Sequence, residues 1–317
     1  MPTFLASIPP PPFGGLELGP LNVRMYGLLI AIGAFLALQL IVRRYERFGG
    51  DPDVAEKAAL LALLFGLIGA RIGYVIPRYD RFLDDPLSAL AIWEGGLTFF
   101  GGLFGGAAAV ILYTRHKRAS LPAMADAVAP ALPLAQAIGR WGNYFNQELY
   151  GRPTDLPWAL EVEPPFRRPG YEQFTTFHPT FLYESLWNLG LVGVLLWLDR
   201  RGTLRRGSLM FVYLIGYGVG RAWTEALRID TFERYLGLSR NNWIAIAIVL
   251  VGIAGLVWWE RRGRAADASS DEPSATTSDP DDGTDASPSP DGGTPEDSAP
   301  EDGAPEDGGP TGSSVRE

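Results

Sequence analysis

The chain has no cysteine among its 317 residues and only two histidines, His116 and His178. That excludes disulfides, thiolate metal sites and a cysteine nucleophile of its own, and two histidines are too few for a histidine-rich metal centre. No metal centre is expected. Any cysteine chemistry must involve the thiol of another molecule. The opening stretch MPTFLASIPPPPFGGLELGP lacks the basic residues that begin a secretory signal. The apolar run behind it is too long for one, and is expected to stay as a membrane anchor. No internal repeat stands out, which argues against a transporter assembled from inverted repeats.

What is present is apolar length. The composition is 47% hydrophobic with nine tryptophans, and seven blocks, at 23–42, 57–76, 97–113, 122–141, 180–198, 208–227 and 242–259, are long and apolar enough to span a bilayer. The expectation is an all-α polytopic membrane protein of about seven transmembrane helices. Residues 1–20 form an N-terminal segment, 21–263 the membrane domain, and 150–178, rich in proline, charge and aromatics, a small head inserted into that domain. The net charge of −9 belongs to the end of the chain. Residues 265–317 hold fifteen acids against one arginine, while residues 1–264 hold 26 basic and 21 acidic residues and stand at +5. Residues 264–317, almost without apolar side chains, are expected to be a disordered acidic tail. Arginines follow the first, third, fifth and seventh blocks (Arg43, Arg44 and Arg47; Arg115 and Arg118; Arg200, Arg201, Arg205 and Arg206; Arg261, Arg262 and Arg264). The positive-inside bias then puts the N-terminus and the head outside and the tail in the cytoplasm.

Polar side chains within spans are costly, so each is a candidate for function, with helix pairing as the competing account. GRWGNYFNQELYG, residues 139–151, closes the fourth block. If helical, it sets Arg140, Asn143 and Gln147 on one face, while Gly139 and Gly142 let a helix or a lipid headgroup come close. A guanidinium beside amides suits a phosphate, although Arg140 could instead tie its span to an acid elsewhere. In the sixth block Tyr213, Tyr217, Arg221 and Glu225 recur every four residues. Arg221 and Glu225 could also simply neutralise each other. Arg71, among small and apolar neighbours, reads as structural. The paired glycines of WEGGLTFFGGLFGG, among them Gly101, permit close backbone approach. Alternating span direction places Tyr26, Gly101, Arg140, Asn143 and Arg221 in the outer half of the membrane, where two cations facing a cavity would take an anionic phospholipid headgroup. A transporter path would need such residues at both faces, and a scaffold working through its tail would need nothing from them.

With these residues in view, the chain resembles the prolipoprotein diacylglyceryl transferase family over residues 20 to about 260. The resemblance is carried by GRWGNYFNQELYG and, in the family's order, by GPLNVRMYGLL at 19–29, GARIGYV at 69–75, HPTFLYE at 178–184 and GYGVGRAWTEALR at 216–228. It implies a bacterial cytoplasmic (inner) membrane enzyme that moves diacylglycerol from phosphatidylglycerol to the lipobox cysteine of prolipoproteins, without a cofactor and with no nucleic-acid partner. It further implies roles for Tyr26, Arg140, Asn143, Glu148, Gly151, Arg221 and Glu225, with Arg140 and Arg221 holding the lipid phosphate. Together with the residues read above, the expected site has Arg140, Arg221, Glu148 and Tyr26 as catalytic groups, Arg140, Asn143, Arg221, Gly101 and Gly151 as lipid contacts, and Asn146, Tyr217, Glu225, Arg71 and His178 as support. Phe100 stands where many members have histidine. Phe100 is therefore expected to be an apolar wall of the cavity, and Glu148 the first candidate to accept the thiol proton.

Overall fold

The computed structural model describes residues 7–18, 21–230 and 234–270. The acidic stretch from residue 271 on lies outside these residues, as do residues 1–6. Eight α-helices run through the described residues: α1 Met25–Arg47, α2 Pro52–Val75, α3 Phe99–His116, α4 Leu121–Val128, α5 Ala131–Phe145, α6 Thr180–Arg201, α7 Ser208–Leu227 and α8 Arg240–Ser270. Local chemistry sets several starts. Asp51 accepts the Asp53 amide with Pro52 in the first helical position of α2, and Ser120 caps α4 through the Ala123 amide. The expected fourth span is built from α4 and α5, interrupted at Ala129 and Pro130. α8 continues to Ser270, into the start of the segment expected to be disordered.

Five helical stretches are long and apolar enough to cross a membrane: Met25–Arg47, Pro52–Phe82, Leu121–Phe145, Thr180–Arg201 and Arg240–Arg262. α3 and α7 occupy the remaining two expected positions but are not among these five. α3 is 18 residues long with Arg115 and His116 in its last turn, and α7 carries Arg221 and Glu225. Many large apolar side chains, among them Leu63, Leu64, Phe104, Leu112 and Leu250, are exposed on the helices. That is the expected pattern where the surrounding solvent is lipid.

Neighbouring helices run antiparallel and approach through small residues. A Cβ on Gly69, Gly101 or Gly105 would collide with backbone of the facing helix in the α2–α3 pair. Gly33 of α1 rests on Ala135 of α5, and Gly218 of α7 meets Ala245 and Val249 of α8. In the head, β1 (Leu160–Glu161) pairs antiparallel with β2 (Thr176–Phe177) over a core of Tyr150, Leu160, Val162, Phe177 and Phe181. Single bridges tie this unit to Ile8 and, through Gly151, to Arg228 just beyond α7. The antiparallel order brings the starts of α1 and α6 and the ends of α5 and α7 to one end of the bundle, beside the head.

Candidate active site

Arg140, near the end of α5, points Nη2 at Glu184 Oε2 of α6, 2.6 Å away. From the other side Arg221 of α7 brings Nη1 to 3.6 Å from Glu184 Oε1 and Nη2 to 2.6 Å from Glu225 Oε2. Glu184 and Glu225 are both buried, so four charged groups alternate in sign across three helices in a low-dielectric setting. Glu225 is held further by Ser239 and Asn241, which donate to its Oε1. Arg221 Nη1 is buried and finds no hydrogen-bond partner among the described residues, the 3.6 Å approach to Glu184 being one of charge alone. A narrow groove runs beside the cluster, lined by Gln136, Arg140, Glu184, Trp187, Tyr217 and Arg221. It leaves about 20 Å³, little more than one water needs.

A second network is joined to the first through Arg140. Its Nη1 donates to Asn143 Oδ1 at 3.3 Å, and Asn143 and Asn146 both donate to Glu148 Oε1, at 2.8 and 3.3 Å. The partner of Arg140 is thus Glu184, with Glu148 fixed by the two amides. Tyr26, in the first turn of α1, lays its ring over Gly142, where a Cβ would strike it, and lies within electrostatic reach of Glu148 and Arg140. Gly139, by contrast, faces open space.

The structure departs from the expected face at Gln147. α5 stops at Phe145, and Gln147, with φ of 49°, turns away to donate to Glu163 and to accept the Glu163 amide. The chain leaves the helix there to enter the head, so a helical face cannot extend to position 147. Gly101 also serves elsewhere, while Arg71 has the structural part read from the sequence. Gly101 is occupied with Gly69 in the α2–α3 contact, and Arg71 donates to the carbonyls of Ser88, Ala89, Gly95 and Gly96, folding the segment between α2 and α3. Phe100 is exposed and stacks edge-on against Phe99, and the groove beside the arginines is lined without it. Gly151 donates its amide to the His178 carbonyl, and a Cβ there would crowd His178 and the Leu227 carbonyl. The His178 ring lies 3.2 Å from the Tyr183 hydroxyl. Its pKa is lowered by burial and then by Arg152.

Sequence reasoning gave no role to Glu184, although HPTFLYE was in view. The available signal was an acid inside an otherwise apolar span, which requires a partner. Only the packing of α6 between α5 and α7 reveals that it has two.

The family model described as prolipoprotein diacylglyceryl transferase matches residues 15–258. A Streptomyces coelicolor protein named phosphatidylglycerol–prolipoprotein diacylglyceryl transferase 2 is 44% identical over 283 residues, covering 85% of this chain and 89% of its own. Proteins named phosphatidylglycerol–prolipoprotein diacylglyceryl transferase from Frankia alni (45% identical, 84% of this chain and 71% of its own) and Synechococcus elongatus (44% identical, 77% and 86%) are similarly close. With the match spanning both arginine networks and most of the helices, the chain belongs to the prolipoprotein diacylglyceryl transferase family.

Proposed function

We propose that this chain transfers the diacylglyceryl group of phosphatidylglycerol to the lipobox cysteine of a prolipoprotein, the first step of lipoprotein maturation. The observation that carries this reading is the convergence of Arg140 and Arg221 on one buried carboxylate, with Arg221 Nη1 left without a hydrogen bond among the described residues. Two guanidiniums so placed suit the non-bridging oxygens of a phosphodiester.

In the reaction, the cysteine sulfur attacks the glycerol carbon that bears the phosphate. The carbon–sulfur bond forms as the carbon–oxygen bond breaks, and glycerol phosphate leaves with the electron pair. Arg140 and Arg221 stabilise the charge gathering on the leaving phosphate. Asn143 steadies Arg140, Glu225 steadies Arg221, and Glu148, aimed by Asn143 and Asn146 near Tyr26, accepts the thiol proton. Because the groove is nearly filled, the phosphate takes the space between the guanidiniums in competition with the Glu184 carboxylate.

In the same reading the helices make seven spans of the bacterial inner membrane, with the head and the N-terminus outside and the tail in the cytoplasm. The test is to incubate the purified protein with phosphatidylglycerol and a lipobox peptide and to weigh the peptide by mass spectrometry. A diacylglyceryl thioether on the cysteine is expected. An unmodified peptide, from protein that is folded and inserted, overturns the proposal.

A further inference from the structure

α6 carries a second acid, Asp199, its side chain 6% accessible, fifteen residues after Glu184 and so about 22 Å along the helix at the opposite end of the bundle. Three arginines meet there. Asp199 Oδ2 is 3.1 Å from Arg44 Nη1 and 2.7 Å from Arg47 Nη2, and Oδ1 is 3.5 Å from Arg206 Nη1. The nearby Asp126 is already committed, accepting the Gly207 and Leu209 amides at the start of α7 at 2.7 and 3.0 Å. Arg44 is buried and spends its second Nη on the Asp126 carbonyl. Arg47 and Arg206 keep 57% and 47% of their side chains accessible. One carboxylate is thus shared among three guanidiniums, two of which still present free donors.

These groups border a predominantly polar cavity of about 300 Å³, far roomier than the groove at the other end, lined by Arg47, Phe48, Asp126, Asp199 and Arg206 among others. Arg206 stacks on one wall, 3.8 Å from the centre of the Phe48 ring. The cavity lies at the end of the bundle where arginines stack on tryptophans: Arg201 on Trp197, Arg205 on Trp259 and Arg262 on Trp258, at 4.2, 5.0 and 4.3 Å. Exposed tryptophans and arginines in this density mark the headgroup level of a membrane.

We propose that this cavity is a second phospholipid site, separate from the transferase groove, which takes the phosphodiester headgroup of an anionic lipid of the facing leaflet on Arg47 and Arg206. Asp199 holds the two arginines in place and leaves them net positive, and Phe48 supplies the apolar edge along which the lipid backbone descends. That the leaflet is the cytoplasmic one rests on the orientation proposed above. A lipid bound here cannot reach the thiol chemistry about 22 Å away, so its role is to anchor and brace the ends of α1, α6 and α7.

The test is native mass spectrometry of the full chain in detergent, titrated with phosphatidylglycerol, phosphatidylcholine or inorganic phosphate, for wild type and the paired variant Arg47→Gln/Arg206→Gln. The paired variant is expected to bind one phosphatidylglycerol about tenfold more weakly, as follows from removing charged hydrogen bonds, while thioether formation stays within about twofold. Phosphatidylcholine is expected to bind wild type more weakly than phosphatidylglycerol. Unchanged phosphatidylglycerol binding in the variant, equal binding of phosphatidylcholine, or occupation by inorganic phosphate with no lipid overturns the proposal. If the glutamine pair fails to insert, Arg47→Lys/Arg206→Lys replaces it, and binding equal to wild type there also overturns it. Because lipid retention is read without turnover, a chain that forms no thioether still tests this site.

Discussion

Arg140 and Glu184 form an ion pair of 2.6 Å between α5 and α6, and Arg221 shares the same carboxylate from α7. The arginines are thereby kept close together in the absence of any other anion, at the cost of a carboxylate standing where a phosphate would bind.

Replacing either arginine with lysine retains the charge but loses the planar two-pronged grip on phosphate oxygens. Arg140→Lys and Arg221→Lys are each expected to lower thioether formation roughly a hundredfold, the usual effect of losing one contact to developing charge. Near wild-type rates in either variant would assign that arginine to helix pairing alone.

Glu184→Gln leaves two guanidiniums, 23% and 17% exposed, without their common counter-charge. Removing one partner of a fully buried pair typically costs about 3–5 kcal/mol; here the guanidiniums are partly solvated and Arg221 keeps Glu225, so the cost is smaller and a measurable fall in melting temperature in detergent is expected. Phosphatidylglycerol should restore more stability to this variant than it adds to wild type, since its phosphate supplies the missing charge. Equal thermal shifts for the two proteins would show that the lipid does not enter between the arginines.

Adjacent residues at the start of α3 should behave oppositely. Gly101→Val places side-chain atoms against the backbone at Gly69, and overpacking of this kind costs about 1–3 kcal/mol or more. Phe100→Leu, on an exposed ring, should leave both melting and thioether formation nearly unchanged. An inactive but stable Phe100→Leu protein would restore this position to the active site.

Burial, and then Arg152, hold the His178 imidazole below its usual range. A depressed pKa contributes stability that is complete above the unfolded value of about 6.5 and is lost as the pH falls through the folded value. Wild type should therefore lose melting temperature below about pH 6.5 more steeply than His178→Ala. The variant should lose at most about tenfold in activity, with the same pH profile above neutrality. A profile displaced by the substitution would make His178 a proton carrier.

Truncation after Ser270 removes only the acidic stretch and leaves every helix named here. Thioether formation by the truncated protein is expected to equal that of the full chain. Lost turnover in a truncated protein that inserts and purifies normally would give the tail a part in catalysis.

Much of this was legible in the residues themselves. Apolar runs of about twenty residues have no stable home but a bilayer, so the helices could be placed from hydropathy alone, and arginines or amides within them stand out because burying them is costly. The run GRWGNYFNQELYG placed Arg140 and Asn143 on one face, as found, and its resemblance added Glu148, which lies close in space because it lies close in sequence. The end of α5 at Phe145 was less visible, because the turn at Gln147 is stabilised by Glu163, a residue of the head. Pairings between helices were not legible at all. Only the packing of α6 between α5 and α7 decided that Arg140 meets Glu184, and only that of α2 on α3 decided that Gly101 serves a helix contact. Hydropathy records how much each helix prefers lipid to water, whereas the rotation and neighbours of a helix depend on close packing and buried charge across the whole bundle.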